Sequence, residues 1–241
     1  MLPPARCGGG DGDVGEDTRD RIYDNSGNPP LIELAPPLPG RALDCGCGAG
    51  ANARLLSARG WKVTGITLSP GERERAAAHC ERVLLADLEE DLPDEVGRDY
   101  DLVVLSHVLE HLRHPERLLG AVRRLLRQGG VAIVALPNPL FYPIRLRVLL
   151  GRCEYERDGI LDETHLRFYS FASGAALLER NGFHVVEAKA EGGFPLWRIR
   201  ALLPAATVAR IDTAACRWRP GLFGRQLLYR ALPDGRPGAE R

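Results

Sequence analysis

The sequence lacks several features that would mark a special class of protein. Its 32 basic residues balance its 32 acidic ones, so the total charge does not indicate nucleic acid as a partner. No apolar run approaches the roughly 20 residues of a membrane span, and residues 1–20 contain no apolar stretch typical of a secretory signal. The six cysteines form no CxxC pair. These absences predict a cytoplasmic location and reduced thiols.

The length and the hydrophobic content fit one α/β domain. A chain of 241 residues, 44% of them hydrophobic, can bury one sizeable core but is short for two domains of ordinary size. Residues 1–20 have no apolar periodicity, which predicts a flexible tail. Residues 21–241 are predicted to form the single domain.

Short apolar runs alternate with helical patterns along most of this domain. Because parallel strands need crossover connections that cover the sheet, the alternation predicts a doubly wound parallel sheet with helices on both faces. The last two strands are predicted to pair antiparallel at one edge, across a long connection that carries a helix. The predicted strands are Ala42–Cys45, Lys62–Thr67, Arg82–Leu85, Tyr100–Ser106, Val131–Leu136, His184–Ala190 and Arg225–Leu232. The predicted helices are Ala51–Ala58, Gly71–Cys80, Pro115–Arg127 and Phe171–Asn181.

Two segments break the alternation and are predicted to form a small cap on the substrate side. Residues 140–169 are irregular and rich in Arg, and residues 192–224 are rich in Arg, Trp and Pro. The aromatic side chains of these segments predict either an apolar substrate pocket or the core of the cap itself. They are Phe141, Tyr142, Tyr155, Tyr169, Phe194 and Trp197.

A glycine-rich loop follows the first predicted strand and precedes a helix. Its sequence, Asp44-Cys45-Gly46-Cys47-Gly48-Ala49-Gly50, has the spacing GxGxG behind an acid. Glycines allow tight turns and the close approach of a ligand. The spacing departs from the GxGxxG dinucleotide pattern, which argues against a nicotinamide-dependent oxidoreductase. The acid suits a cationic ligand such as S-adenosylmethionine, which carries an ammonium and a sulfonium.

Three motifs in this order make the sequence resemble the class I S-adenosylmethionine-dependent methyltransferases, from about Tyr23 to Leu232. The first is the glycine loop, the second is Ala86-Asp87-Leu88, and the third covers residues 100–112. The resemblance, which is closest to small-molecule branches of the family, implies a Rossmann-like sheet of seven strands, mostly parallel with an antiparallel edge strand. It also implies S-adenosylmethionine as the cofactor.

The resemblance assigns residues to that cofactor. Asp87 would bind the adenine amino group, and Leu88 would supply a backbone contact. The second strand usually ends in an acid that binds the ribose hydroxyls, but here Thr67 stands in its place. Thr67 either binds the ribose more weakly, with help from Ser69, or is a strand residue that touches no ligand. The implied cofactor residues are Tyr23, Asp44, Gly46, Cys47, Gly48, Gly50, Thr67, Leu68, Asp87, Leu88 and Ser106.

Methyl transfer to a hydroxyl needs a base to take the proton, and three histidines are candidates. His107 and His111 follow the fourth strand and would share one face with Glu110 if a helix starts there. His165 lies in the segment 161–169, which resembles a pattern found in bacterial methyltransferases. We expect His111 or His165 to be the base, assisted by His107. The alternatives are structural: Glu110 lies in the first turn of a helix, His111 packs under the loop, and His165 merely packs while Thr164 caps the next element.

The same histidines also allow the alternative of a metal site. The pattern HxxEH of residues 107–111 resembles the ExxEH metal site of the ubiquinone-biosynthesis and small-RNA 2′-O-methyltransferases, with His165 as a further ligand. Imidazoles with one carboxylate favour zinc or another transition metal over magnesium. A divalent metal is therefore an alternative cofactor. HxxEH also occurs in inverted zinc proteases, but its position at a strand end argues against that class.

The zero net charge hides an asymmetry. Residues 1–139 carry 16 basic and 21 acidic groups, whereas residues 140–241 carry 16 basic and 11 acidic groups. An Arg-rich substrate side predicts an acidic or phosphorylated acceptor, bound by Arg145 and Arg147. Apolar residues alternate with these arginines over residues 140–150, so peripheral contact with a membrane surface is a further option.

The predicted function is methyl transfer from S-adenosylmethionine to a small-molecule acceptor, with a hydroxyl oxygen preferred over nitrogen or carbon. Two alternatives stay open at this point. One is a metal-dependent O-methyltransferase of the quinone or RNA type, and the other is a non-catalytic binding protein that keeps the cofactor fold.

Overall fold

The computed structural model describes residues 26–195 and 197–234, without the side chains of residues 197 and 198. The predicted tail of residues 1–20 and the predicted cofactor residue Tyr23 lie outside this part of the chain. Within it, no helix has the length and apolar character needed to cross a membrane. The five cysteines in this part are free thiols.

Seven strands form one sheet in the order β3-β2-β1-β4-β5-β7-β6. Strands β1 to β5 pair in parallel, and β7 pairs antiparallel with both β5 and β6. The predicted fold class is therefore confirmed, with the antiparallel pairing confined to one edge, where β6 is outermost. The strands are β1 Arg41–Cys45, β2 Lys62–Thr67, β3 Arg82–Leu85, β4 Tyr100–Ser106, β5 Leu126–Pro137, β6 Phe183–Gly192 and β7 Gly224–Pro233.

Helices cover both faces of the sheet, as the alternation predicts. They are α1 Pro29–Ile32, α2 Ala51–Ser57, α3 Pro70–Ala76, α4 Pro115–Leu125, α5 Tyr142–Leu149, α6 Phe171–Arg180, α7 Ala205–Trp218 and α8 Pro220–Phe223, with 3₁₀ turns at Asp94–Val96 and Trp197–Leu202. The long connection between β6 and β7 carries α7, as expected. Helix α4 ends two residues before its predicted end, because β5 already begins at Leu126 and pairs with Tyr100.

Local sequence explains where several helices begin. Ser69 caps α3 by accepting a hydrogen bond from the backbone N–H of Glu72, and Pro70 occupies the first turn, where no amide donor is needed. Ser170 caps α6 in a reciprocal capping box with Ser173. Both caps fix the exit of the chain from a loop beside the sheet.

The core lies on both faces of the central strands. Residues 131–138 of β5 and the turn after it are all buried, which is typical of a strand covered on both sides. Burial of one Val or Leu side chain stabilises the fold by about 1.5–3 kcal/mol. The sheet is therefore a rigid base for the loops at its carboxyl edge.

The ends of β1, β2, β4 and β5 meet at one edge of the sheet because these strands are parallel. Strand β7 runs the opposite way, so its first residues reach the same edge. The loops after the parallel strands and the start of β7 therefore surround one space.

Candidate active site

A cavity of about 990 Å³ opens at this edge of the sheet. Its lining comes from the loops after β1, β2, β3 and β4, the N-terminal segment 27–30, residues 158–166 of the predicted cap, and the facing ends of β6 and β7. No described residue between 193 and 224 lines it. The space is large enough for two small molecules to meet.

The glycine loop requires its glycines. Gly46, Gly48 and Gly50 have φ angles of 71°, 52° and 87°, in the left-handed region that other residues rarely adopt. A Cβ atom at Gly46 would lie 2.8 Å from a methyl group of Val108. The backbone N–H of Cys47 donates to the Ile66 carbonyl over 2.8 Å, which ties the loop to the end of β2. Gly46, Cys47 and Gly48 line the cavity, while Gly50 packs against α3.

Asp44 is a buried carboxylate at the end of β1, just before this loop. It is fully buried, and neither oxygen has a hydrogen-bond partner among the described residues. Burial raises its pKa to about 7 because the charged form loses its hydration. An orphaned acid beneath the loop is what a cationic ligand would compensate, as the sequence predicts.

The end of β2 holds a carboxylate that sequence reasoning missed. The hydroxyl of Thr67 donates to Glu72 Oε2 over 2.5 Å, and both side chains are buried while lining the cavity. Glu72 stands three residues after the cap Ser69, in the S-x-x-E pattern of a capping box. That pattern marks a helix start and gives no sign of a ligand, so only the tertiary structure shows that a carboxylate reaches the place of the absent acid.

Four further residues that the sequence assigns to the cofactor line the cavity. Asp87 and Leu88 follow β3 and line the cavity, as do Leu68 and Ser106 at the ends of β2 and β4. Asp87 Oδ1 accepts a hydrogen bond from the backbone N–H of Glu89 over 2.9 Å, which holds its side chain in place.

The segment after β4 differs from the expected helix. It is a turn, and α4 begins only at Pro115, so the argument that His107, Glu110 and His111 share a helical face is wrong. His107 adopts a φ of 55°, which is rare for a residue other than glycine. The turn nevertheless brings all three side chains to one wall of the cavity or just behind it.

His111 has one ring nitrogen anchored and the other available. Thr164 donates its hydroxyl hydrogen to Asp162 over 2.6 Å, so its oxygen accepts from Nδ1–H of His111 over 3.0 Å. This chain of hydrogen bonds places the lone pair of His111 on Nε2. Burial lowers the pKa of His111 below its ordinary value, which keeps the ring neutral at pH 7.

His165 is buried beside His111, and the two ring centroids lie 4.7 Å apart. Nδ1 of His165 lies 3.0 Å from the Ile160 carbonyl oxygen, to which it donates, so its lone pair is also on Nε2. That nitrogen lies 4.0 Å from Glu110 Oε1. Thr164 does not cap the next helix, as the structural alternative for His165 expects, because α6 begins later and is capped by Ser170.

Glu110 is fully buried between the histidines rather than in the first turn of a helix. Its Oε1 lies 3.3 Å from Nδ1 of His107, and its Oε2 has no partner among the described residues. Its backbone carbonyl accepts from Leu166 and Arg167, which fastens residues 158–166 over the cavity. One oxygen of Glu110 and one nitrogen each of His111 and His165 lie within 4.8 Å of one another, a spacing that could hold a metal ion.

His107 faces an oxygen on each side of its ring. Nδ1 faces Glu110, and Nε2 lies 3.1 Å from Gln226 Oε1. Burial alone lowers the pKa of His107, but the hydrogen bond and charge of Glu110 outweigh it, so that the pKa is raised. A ring that donates on both sides offers no free lone pair, so this geometry favours His111 or His165 as the base.

The sequence did not predict a polar network centred on Gln226, the residue that faces Nε2 of His107. The Gln226 amide exchanges two hydrogen bonds with Asn28, of 2.8 and 3.2 Å, and also donates to Glu191 over 3.1 Å. The backbone N–H of Asn28 donates a hydrogen bond to Oδ1 of Asn52 over 2.8 Å. These residues come from the N-terminal segment, α2, β6 and β7, and nothing in the local sequence of any one of them indicates the contact.

The arginines predicted to bind the acceptor point elsewhere. Arg145 donates to the backbone carbonyls of Leu140 and Gly221, and Arg147 pairs with Glu156. Neither lines the cavity, whereas Arg113 and Arg225 do. The candidate anion-binding groups are therefore different from those that composition suggested.

The predicted aromatic cluster packs away from the cavity. Tyr142 and Phe194 contact Phe223 with ring centroids 6.2 and 5.1 Å apart. None of the five aromatic residues whose side chains are described lines the cavity. The packing of Tyr142 and Phe194 agrees with the alternative of a core within the cap, whereas Tyr169 packs in the main core and Tyr155 is exposed.

Comparison with known proteins defines the class of this protein. A family model described as "Methyltransferase domain" matches residues 19–188, and the chain belongs to this family. The protein is a class I S-adenosylmethionine-dependent methyltransferase, and therefore an enzyme rather than a non-catalytic binding protein.

The relatives carry more specific names. The chain is 32% identical over 187 residues to a ubiquinone biosynthesis O-methyltransferase of Xylella fastidiosa strain M23, a match that covers 75% of this chain and 74% of that protein. The same name belongs to a relative from Acinetobacter baylyi, which is 31% identical over 96 residues, covering 37% of this chain and 40% of that protein.

Solved structures agree on the fold alone. A chain of the complex between the Haloferax volcanii Trm112 methyltransferase activator and its methyltransferase is 19% identical, with a TM-score of 0.57 over 86% of this chain and 88% of that one. An S-adenosylmethionine-dependent methyltransferase from Mesorhizobium loti is 21% identical, with a TM-score of 0.55 over 84% and 95% of the two chains.

Proposed function

We propose that this enzyme transfers the methyl group of S-adenosylmethionine to a hydroxyl oxygen of a small molecule, with His111 as the base. The observation that carries the proposal is the chain from Asp162 through Thr164 to Nδ1 of His111. It fixes the tautomer, so Nε2 offers its lone pair at the cavity. The lowered pKa of His111 supports the same role, because a base must be neutral to act.

The residues around the glycine loop fit the cofactor. The backbone at Gly46 and Gly48 would contact the methionine portion of S-adenosylmethionine, and Asp44 would compensate its positive charge. Glu72, held by Thr67, would accept hydrogen bonds from the ribose hydroxyls in place of the usual acid. Asp87 would bind the adenine amino group. Tyr23 stays a prediction from the sequence.

The transfer is an in-line displacement at carbon. The acceptor oxygen forms a bond to the methyl carbon while the carbon–sulfur bond breaks, and the sulfonium becomes a neutral thioether. The hydroxyl proton passes to Nε2 of His111 and later to solvent. The enzyme contributes mainly by aligning the two reactants and removing this proton. The relatives named as O-methyltransferases support oxygen as the acceptor atom.

Product analysis tests the proposal. Purified enzyme is incubated with labelled S-adenosylmethionine and a catechol such as 3,4-dihydroxybenzoate, and the products are identified by mass spectrometry. We expect a methyl ether and an equal amount of S-adenosylhomocysteine. Methylation of matched amines but not of hydroxyls would overturn the assignment to oxygen.

A second candidate is the metal-dependent form of the same reaction. It is favoured by the orphaned Oε2 of Glu110 beside two imidazoles that each have Nδ1 anchored, the pattern that orients metal ligands. Glu110, His111 and His165 would hold the ion, which would supply Lewis-acid polarisation of the acceptor hydroxyl. Metal analysis of the purified enzyme, with activity before and after chelation, distinguishes the two forms. Activity that survives complete metal removal would exclude the metal-dependent form.

A further inference from the structure

Arg225 stands at the start of β7, where this strand reaches the cavity. Its side chain is exposed and lines the cavity, while its backbone carbonyl accepts a hydrogen bond from the N–H of Asn138 over 3.0 Å. The backbone of Arg225 is therefore fixed by the sheet, and its guanidinium is presented to whatever occupies the cavity.

Two acids that line the same cavity have partners of their own. Glu191 accepts from the Gln226 amide over 3.1 Å, and Asp162 accepts from Thr164 over 2.6 Å. The side chain of Arg225 forms no hydrogen bond or ion pair with any residue that the structure describes. Other arginines differ, since Arg147 pairs with Glu156 and Arg200 pairs with Asp212.

Arg225 also lies close to the reaction centre. The next residue along β7 is Gln226, and its Oε1 lies 3.1 Å from Nε2 of His107. His107 contacts Glu110, whose carboxylate faces His165, and His165 packs against His111. A ligand group bound by Arg225 would therefore occupy the same cavity as His111, the proposed base.

We propose that Arg225 binds a carboxylate on the acceptor and so selects hydroxylated acids as substrates. The guanidinium of Arg225 can hold a carboxylate with two parallel hydrogen bonds. The second arginine that lines the cavity, Arg113, stands on the loop between β4 and α4. Glu191 and Asp158 also line the cavity, so a doubly charged phosphate would meet more repulsion than a carboxylate. The inference rests on the proposed function, because it names the acceptor of that same reaction.

The test measures binding to the enzyme saturated with S-adenosylhomocysteine, so that it does not depend on turnover. The probes are 3,4-dihydroxybenzoate and its neutral analogue 3,4-dihydroxybenzamide, measured by calorimetry. We expect the natural enzyme to bind the acid at least about 10-fold more tightly than the amide, an effect of the size seen for charged hydrogen bonds. Arg225→Gln should abolish this preference while keeping the affinity for the amide, and Arg225→Lys should keep part of it.

Arg210→Gln is the matched control, because Arg210 is an exposed arginine on α7 and does not line the cavity. It should bind both probes like the natural enzyme. Unchanged affinity for S-adenosylhomocysteine shows that each variant is folded. The inference is overturned if the natural enzyme binds neither probe or binds both equally, or if Arg225→Gln keeps the preference. A charge preference without any methyl ether product would defeat the proposed function and leave the role of Arg225 intact.

Discussion

The two sides of the cavity are built in different ways. On the cofactor side, Thr67 meets Glu72 across five residues, and Cys47 meets Ile66 in the next strand along the chain. On the acceptor side, His111 meets Thr164 across 53 residues, and His107 meets Gln226 across 119. The cofactor side consists of strand–loop–helix units, whereas the acceptor side exists only once distant segments have packed together.

This difference has a functional consequence. A unit made of one strand and its following loop keeps its geometry when other parts of the chain change, so it can bind the same cofactor in many proteins. A wall assembled from the cap, β6 and β7 can change its residues without disturbing that unit. We therefore expect substitutions on the two sides to separate cofactor affinity from acceptor recognition and rate.

The largest effect is expected at Asp44 on the cofactor side. Asp44 is fully buried, and its carboxylate would compensate the positive charge of the cofactor. Asp44→Asn removes this carboxylate. We expect the Kd for S-adenosylmethionine to rise by about 100-fold, as for other buried charge-assisted contacts. Calorimetry measures it, with Asp91→Asn as an exposed control that should bind normally.

The same variant should change the pH dependence of stability without cofactor. The pKa of Asp44 is about 7 in the folded protein and 3.8 in the reference state, so folding favours the protonated acid. The free energy of unfolding therefore falls as the pH rises from about 4 to about 7. Asp44→Asn should be more stable than the natural protein at pH 8, by up to roughly 4 kcal/mol, and equal to it near pH 4. Equal stability at both pH values in denaturant titrations would contradict a buried, uncompensated acid.

His111 tests the acceptor side. His111→Asn should lower kcat for the catechol probe by about 100-fold, the lower end of what general bases contribute. The Kd for S-adenosylmethionine should stay within a factor of two, because His111 belongs to the other side of the comparison. Loss of cofactor affinity along with rate would show that the two sides are not separable.

Glu72 tests whether a residue of the cofactor side affects cofactor affinity without affecting the rate. Glu72→Ala should raise the Kd for S-adenosylmethionine by about 10-fold, because two hydroxyl hydrogen bonds to a carboxylate are lost. The value of kcat at saturating cofactor should be kept. Glu74→Ala removes an exposed acid from the same helix and should leave the Kd unchanged. An effect of equal size in both variants would point to helix stability instead of ribose binding.

Thr164 probes the hydrogen-bond chain behind His111. Thr164→Val keeps the shape of the side chain but removes its hydroxyl, so Nδ1 of His111 loses its acceptor. We expect kcat to fall by about 3- to 10-fold, a smaller loss than at His111 itself, because the base remains. Thr164→Ser should restore most of the rate. If serine fails to rescue, the methyl group rather than the hydroxyl is what matters.

The smallest effect is expected at Arg145 and Arg147. Both side chains are held by partners outside the cavity, so the double change to Gln should leave the KM for an acidic acceptor within about a factor of two. A large rise in KM would restore the expectation, drawn from composition, that these arginines bind the acceptor.

Much of the fold could be predicted from the sequence. Three strands, β2, β3 and β4, have the predicted bounds, because each is an apolar run between clear turn residues. The start of β5 was missed because residues 127–130 are polar and glycine-rich. The pairing of Leu126 with Tyr100 of β4 extends the strand to these residues, and the regular ladder resumes at Val131. The false helix at His107 has a similar origin, since the spacing of three residues fits a tight turn as well as a helix.

The sequence by itself determined the glycine loop, the order of strands and helices, and the positions of Asp44 and Asp87 beside β1 and β3, because those depend on neighbours within one structural unit. Tertiary structure alone decided that Glu72 joins Thr67, that Gln226 links Asn28 with Glu191 and His107, and that Arg225 rather than Arg145 faces the cavity. The physical reason is that β7 runs antiparallel to β5, so its first residues, and not the end of the chain, lie at the carboxyl edge of the sheet. Local patterns carry no information about which distant side chains such a crossing will bring together.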